Sequence, residues 1–291
     1  MRENAKTSNE GGGRMFPSDD HQEQLVKNFT TMISHMTVGF VHIPRHGSGE
    51  YADPAGTGTL VRIGPIFGIL TAAHVLDALS RHEEVGLMRI TNRPDRPQKM
   101  KIDMRAAETV MIGELPFGSS GPDIGFLRLP NGEELGWLKS KNIFFNLEKP
   151  QPDPPSSLQA LPCFHLFIGV VAERTEKAEN TETNSLLTGM TAMASAATIL
   201  REGNANGLDI LDIDIGFAPG VKRPTSFGGM SGGGLWQVCL DAEQQQVRDR
   251  RPVGVAFYQS DLVNGQRTVT CHGPQTIYTG MLAQIRAKWP N

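Results

Sequence analysis

Apolar residues recur at helical spacing near both ends of this chain and at strand spacing between them. Leu25, Val26, Phe29, Met32 and Ile33 fall on one helical face, and Asp20 with Glu23 has the spacing of a capping box. Together they predict an amphipathic helix over 18–36, packed by its apolar face on the main body. Ile277, Met281, Leu282, Ile285 and Trp289 share one side of a second helix over 275–291.

Between these helices the texture is of short β-type runs separated by turn residues. Val38–Ile43, Gly58–Ile63, Ile66–Ala72, Val85–Thr91, Ala106–Ile112 and Ile124–Leu129 form a first set. Cys163–Ala172, Leu208–Ile215, Leu235–Leu240, Val253–Gln259 and Arg267–Cys271 form a second, the last following an Asn264-Gly265 hairpin signal. Leu186–Leu200 is ambiguous between strand and helix. In Leu208–Ile215 the alternation is clear: Leu211, Ile213 and Ile215 face one way, Asp212 and Asp214 the other. Many short strands without alternating helices indicate a sandwich or barrel. Four prolines between Pro150 and Pro155 exclude regular structure and mark a stiff connector. The predicted order is therefore a disordered tail (1–17), a helix (18–36), a first β-barrel (37–147), a Pro-rich connector (148–157), a second β-barrel (158–274) and a helix (275–291).

The composition narrows the partners. With a formal net charge of −3, the chain has no long-range attraction for nucleic acid or anionic lipid, so neither is expected as a partner. No apolar run is long enough to cross a bilayer, and residues 1–24 lack the apolar segment of a secretory signal. The three cysteines, Cys163, Cys239 and Cys271, cannot all be paired. Thiols so few and so widely spaced imply a fold held by core packing and a cytoplasmic location, with Cys239 and Cys271 as small buried fillers.

Three segments carry candidate chemistry. Ile69-Leu70-Thr71-Ala72-Ala73-His74 is an apolar run ending in small residues, with a histidine presented at the strand exit. Gly121-Pro122-Asp123-Ile124-Gly125-Phe126-Leu127 puts an acid at the opening of a strand, after a turn. Phe227-Gly228-Gly229-Met230-Ser231-Gly232-Gly233-Gly234 puts a serine on a tight glycine-rich turn where backbone N–H groups converge. A serine hydroxyl needs a base to become a nucleophile; His74 can serve, with Asp123 fixing its tautomer. The N–H groups of Gly229 and Ser231 could then hold an oxyanion.

The trio Thr-Ala-Ala-His, Asp-Ile-Gly-Phe-Leu and Gly-Met-Ser-Gly-Gly, in that order, resembles the trypsin/chymotrypsin-like serine peptidases, with the intracellular, disulfide-poor bacterial members the nearer likeness. Gly56-Thr57-Gly58-Thr59-Leu60 also looks like a strand of that family, and the likeness spans roughly residues 36–289 by spacing of elements. The resemblance implies an all-β fold of two antiparallel six-stranded Greek-key barrels with the site between them. It assigns base, orienting acid and nucleophile to His74, Asp123 and Ser231, and the oxyanion hole to the amides of Gly229 and Ser231.

Two departures bear on regulation and specificity. Members activated by cleavage have an Asp directly before the nucleophile, where this chain has Met230, so that route is closed. Six residues before the serine, where specificity for Lys or Arg requires an acid, stands Thr225. A pocket for an uncharged side chain is expected instead, with Thr225 at its base and Tyr258 and Gln259 as walls.

Other residues are read as structural. His165 reads as a packing histidine, His35, His42 and His46 lack metal-ligand spacing, and Asp212 and Asp214 read as a solvated strand face. Asp214, the rival for the orienting acid, ranks below Asp123. The expected function is a serine endopeptidase needing no metal or organic cofactor. It acts on protein or peptide substrates, with narrow specificity or triggering by a protein partner. The alternative is a catalytically restrained binding or regulatory module on the same fold.

Overall fold

The computed structural model describes residues 19–42, 45–46, 49–50, 53–90, 99–149, 163–180, 185–189, 192–217, 222–240, 247–262 and 266–290. The predicted tail, most of the Pro-rich connector and the Asn264-Gly265 turn lie outside them, as do the side chains of Asp20, Glu23, Leu25 and Val26.

Two β-sheets make the body. The first contains β1 (Thr37–His42), β2 (Asp53–Ile63), β3 (Ile66–Thr71), β4 (Glu84–Arg89), β5 (Lys99–Asp103), β6 (Glu108–Ile112), β7 (Ile124–Arg128) and β8 (Phe145–Asn146). They run in the order β5-β4-β1-β2-β3-β7-β6, with β8 added parallel to β2. The second contains β9 (Cys163–Val170), β10 (Ala192–Ala205), β11 (Leu208–Ile215), β12 (Gly234–Leu240), β13 (Val247–Gln259) and β14 (Val269–His272), closed as β9-β10-β11-β14-β13-β12. The fold is all-β: a closed six-stranded barrel beside an eight-stranded half-barrel sheet.

The expectation of two six-stranded antiparallel barrels needs correction for the first sheet. It holds eight strands, one of them parallel, and stays open: its edge strands β5 and β6 are not hydrogen-bonded to each other. In the link between them Met104 N–H donates to Glu83 O and Ala107 N–H to Met104 O. Strand β5 and two short helices, α2 (Ala73–Ser80) and α3 (Glu133–Lys141), were not anticipated. In α3, Leu135 and Leu138 are buried, acids fill the first turn and lysines the last, complementing the helix dipole.

Residues of the central strands are buried on both faces, hence their unbroken apolar runs. Leu60, Ile69 and Leu127 point into the first sheet's own core with Val38, Phe40 and Leu87. Their neighbours Val61, Leu70 and Phe126 point outward, against Leu166, Ile168, Trp236 and Val238 of the second barrel. Phe167 and Leu235 alternate with these and fill the second barrel with Ile213, Val269 and Cys271. In the ambiguous Leu186–Leu200 region the described residues are extended: Ser185–Gly189 is a strand, and β10 pairs on one side with β9 and on the other with β11.

Helix α1 (Asp19–Ser34) buries Phe29 and Ile33, as its periodicity requires. At the other end a π-helical turn, Thr276–Met281, leads into α4 (Leu282–Lys288). Phe29, Ile33, Ile277, Met281 and Ile285 all belong to the core that joins the two sheets around Trp236.

The cysteine expectation is also corrected. Cys163 and Cys239 stand opposite each other on β9 and β12 and are joined by a disulfide, so Cys239 is no free filler. Three cysteines require only that one remain unpaired, and that one is Cys271, fully buried, its thiol pushed up in pKa by desolvation.

Candidate active site

Strand register brings histidine and acid together. β3 and β7 run antiparallel with Thr71 opposite Gly125, so the residues leaving β3 meet those entering β7. His74 lies three positions past Thr71, in the first turn of α2; Asp123 lies two before Gly125. A helix's first N–H groups have no partner within the helix, and Ala72 at the N-cap offers no side-chain acceptor. Asp123 supplies it: Oδ1 accepts from His74 N–H at 2.9 Å and Oδ2 faces His74 Nδ1 at 2.6 Å. An ionised Asp123 makes Nδ1 the protonated nitrogen and leaves the Nε2 lone pair available. Asp123 is 2% exposed, whereas the His74 side chain is 33% exposed, so the acid is sealed and the base open.

Close packing is part of this arrangement. A Cβ on Gly125 would sit 2.6 Å from Leu76 Cδ1 and 3.3 Å from the Ala73 Cα, so only glycine lets α2 lie against β7. Behind the acid stands a residue that the sequence reading did not single out. His272, fully buried at the end of β14, accepts the N–H of Asp123 at its Nε2, 2.9 Å away. Its ring stacks on Phe257 with centroids 4.3 Å apart, and burial pushes its pKa down to about 4.

The serine loop is drawn to the same place by Thr57 on β2. Thr57 N–H donates to Ser231 O at 2.8 Å, and its hydroxyl donates to Gly229 O while accepting from Val170 N–H, both at 2.8 Å. A Cβ on Gly56 would lie 2.8 Å from Val75 Cγ1 and 3.3 Å from Ser231 O, so the neighbour of His74 and the serine backbone flank one glycine. Gly232 has φ +83°, and the space of its missing side chain is filled by Thr57 O and Thr71 Oγ1. Met230, the departure noted above, is buried and packs on Gly169. It holds the loop by apolar contact, in one core cluster with Phe167, Val171 and Phe227.

Around the turn, Met230 N–H donates to Phe227 O and Gly232 N–H to Ala256 O, at 3.0 and 2.7 Å. Among the described residues the N–H groups of Gly229 and Ser231 donate to no carbonyl, and Gly229 has φ +86°. These are the two amides that the sequence resemblance assigns to an oxyanion hole.

Beside Ser231 opens a cavity of about 330 Å³, lined by Phe227, Gly228, Ala256, Tyr258, Gln259 and Arg267 among others. Two of the expected pocket residues, Tyr258 and Gln259, line it; Thr225 does not. Thr225 bonds through N–H and hydroxyl to Glu173 Oε2, both at 2.8 Å, which together with Ser226 N–H holds the Glu173 carboxyl below its usual pKa. Asp212 and Asp214 lie elsewhere and are ion-paired, with Arg201 and Arg223, so the strand face expected to be merely solvated carries two charge pairs. Among the described residues no three His, Cys, Asp or Glu side chains gather as a metal-ligand set.

No family model and no curated protein matches the chain. Among solved structures it is similar to the Rv3671c protease in its inactive form, at 16% identity and a TM-score of 0.39, covering 94% of this chain and 97% of that one. It is also similar to catalytically active tobacco etch virus protease complexed with product, at 11% identity and a TM-score of 0.40, covering 99% and 87%. Neither likeness bears on which residues react.

Proposed function

We propose that this chain is a serine endopeptidase using His74, Asp123 and Ser231. The observation that carries the reading is the double clasp of the Asp123 carboxylate on His74, through its N–H and its Nδ1, beside a serine turn with two unengaged amides. In the reaction Ser231 Oγ attacks the peptide carbonyl carbon as His74 Nε2 takes its proton. The resulting oxyanion is held by the N–H groups of Gly229 and Ser231, each such donor contributing about 2.7–4 kcal/mol to the transition state. His74 then returns the proton to the departing amine as the C–N bond breaks. Water, activated by the same nitrogen, releases the acyl group from Ser231.

The buried anchoring of Met230 supports a site formed without cleavage of the chain. Restraint would then come from narrow specificity or from a protein partner.

No helix among the described residues is long and apolar enough to span a membrane. The cytoplasmic location expected from thiol count loses ground to the Cys163–Cys239 bond, because disulfides persist mainly in oxidising surroundings.

A fluorophosphonate probe tests the proposal: wild type should be labelled at Ser231 and Ser231→Ala should not. Equal labelling of the two would remove Ser231 as nucleophile. No labelling of a folded wild type would favour the inert binding module.

A further inference from the structure

The cavity beside Ser231 carries two charged side chains of unequal standing. Asp261 is exposed, at the rim, whereas Arg267 is half-buried. Arg267 is held from two directions, Nε donating to Thr225 O at 2.9 Å and Nη1 to Ser260 O at 2.7 Å. Both acceptors are neutral carbonyls, and among the described residues no carboxylate lies within ion-pair distance of the guanidinium. A guanidinium fixed in this way loses little further entropy on meeting an anion, and among the described residues its Nη2 donates to none.

The rest of the lining is biased the same way. Gln259 Oε1 is already occupied, accepting Phe227 N–H at 2.8 Å, while its amide nitrogen makes only a long 3.4 Å bond to Ser226 Oγ. The fixed side-chain acceptor of the half-buried wall, Gln259 Oε1, is thus engaged, and the carboxylate of the lining, Asp261, is exposed to solvent. The uncharged side chain expected from Thr225 loses its basis, since Thr225 is turned to Glu173.

We propose that this cavity receives an acidic side chain, glutamate or aspartate, from the residue whose carbonyl is attacked, with Arg267 as its counter-charge. The proposal rests on the endopeptidase reading and gives it a substrate class. A basic side chain would meet a fixed like charge. An uncharged apolar one would forgo the charge-assisted bond that a carboxylate could make to Arg267.

The test uses the full chain with fluorogenic peptides differing only at the residue before the scissile bond: Glu, Asp, Gln, Ala, Phe and Lys. Glu or Asp should exceed Gln at least about 10-fold in kcat/KM. Arg267→Gln should erase that preference, and Arg267→Lys should keep part of it. Wild-type cleavage that favours Gln, Phe, Ala or Lys would overturn the acidic pocket and leave the endopeptidase standing. Absence of both cleavage and fluorophosphonate labelling in folded wild type would overturn both.

Discussion

The N–H of Asp123 donates to Nε2 of His272 at 2.9 Å, across 149 positions of sequence. The acid that orients His74 belongs to the first sheet, and the residue that fixes that acid's backbone belongs to the closed second barrel. The contact is tight: a Cβ on Gly121 would come within 2.7 Å of His272 Cε1. His272 is a positioning residue, and its protonation state decides whether the bond exists.

Acid should therefore weaken the protein through this histidine. In the folded state its pKa is pushed down to about 4 by burial, against 6.5 for the ordinary side chain. Above pH 6.5 it is neutral whether folded or not, and its contribution is whole. As pH falls from 6.5 towards 4 the unfolded chain takes up a proton that the folded chain refuses, so stability drops, by on the order of 3 kcal/mol. Urea unfolding at several pH values should give this slope, and His272→Gln should flatten it. A slope unchanged in the variant would remove His272 as its origin.

Neutralising the acid should disable the base without unfolding the chain. Asp123→Asn keeps the shape but can place an amide N–H against Nδ1, favouring the wrong imidazole tautomer, and kcat is expected to fall by roughly 10⁴-fold. Circular dichroism should stay native. Retained turnover would transfer the orienting role to another residue.

Thr57 ties the sheets together at the serine loop, so Thr57→Val is a probe of both stability and rate. The variant leaves Gly229 O without its donor and Val170 N–H without its acceptor, both at a site where Thr57 is fully buried. Unmade bonds of this kind cost about 1–3 kcal/mol each. We expect the urea midpoint to fall accordingly. Loosening of the turn should lower kcat by roughly 10–100-fold, more than it changes KM. A wild-type kcat in a destabilised Thr57→Val would confine Thr57 to a structural role.

Thiol chemistry checks the second barrel. Denatured, unreduced protein should expose a single reactive thiol, that of Cys271, because Cys163 and Cys239 are bonded. Cys239→Ser should lower stability by about 2–4 kcal/mol, and reductant should do the same to wild type. Three reactive thiols before reduction would contradict the bond.

What could be read in the sequence was what is local. The apolar run ending at His74 and the turn opening at Asp123 announce their strand ends, and antiparallel pairing does the rest. Phe29 and Ile33, or Ile277, Met281 and Ile285, announce helical faces by spacing alone. Helix α2 was hidden because its Val75, Leu76 and Leu79 follow the strand without any turn residue between. The contacts of His272 and Arg267 depend on which distant backbone each meets, and nothing beside them in the chain encodes that. Asp212 and Asp214 looked solvent-facing by alternation, which is silent about the arginines that cross-strand neighbours and loops bring to them. An odd number of cysteines likewise says that one must be alone, not which two will stand opposite each other.

Phe29 and Ile285 share one core, with Trp236 between the sheets they help to join. Translation therefore delivers the histidine and the acid long before the wall that supports them can exist. Until residues 269–285 are made, the second barrel lacks its strand β14 and the core around Trp236 lacks Ile277, Met281 and Ile285. A frameshift just ahead of residue 285 would take Ile285 out of the core it shares with Phe29 and Trp236 while leaving His74, Asp123 and Ser231 in the chain.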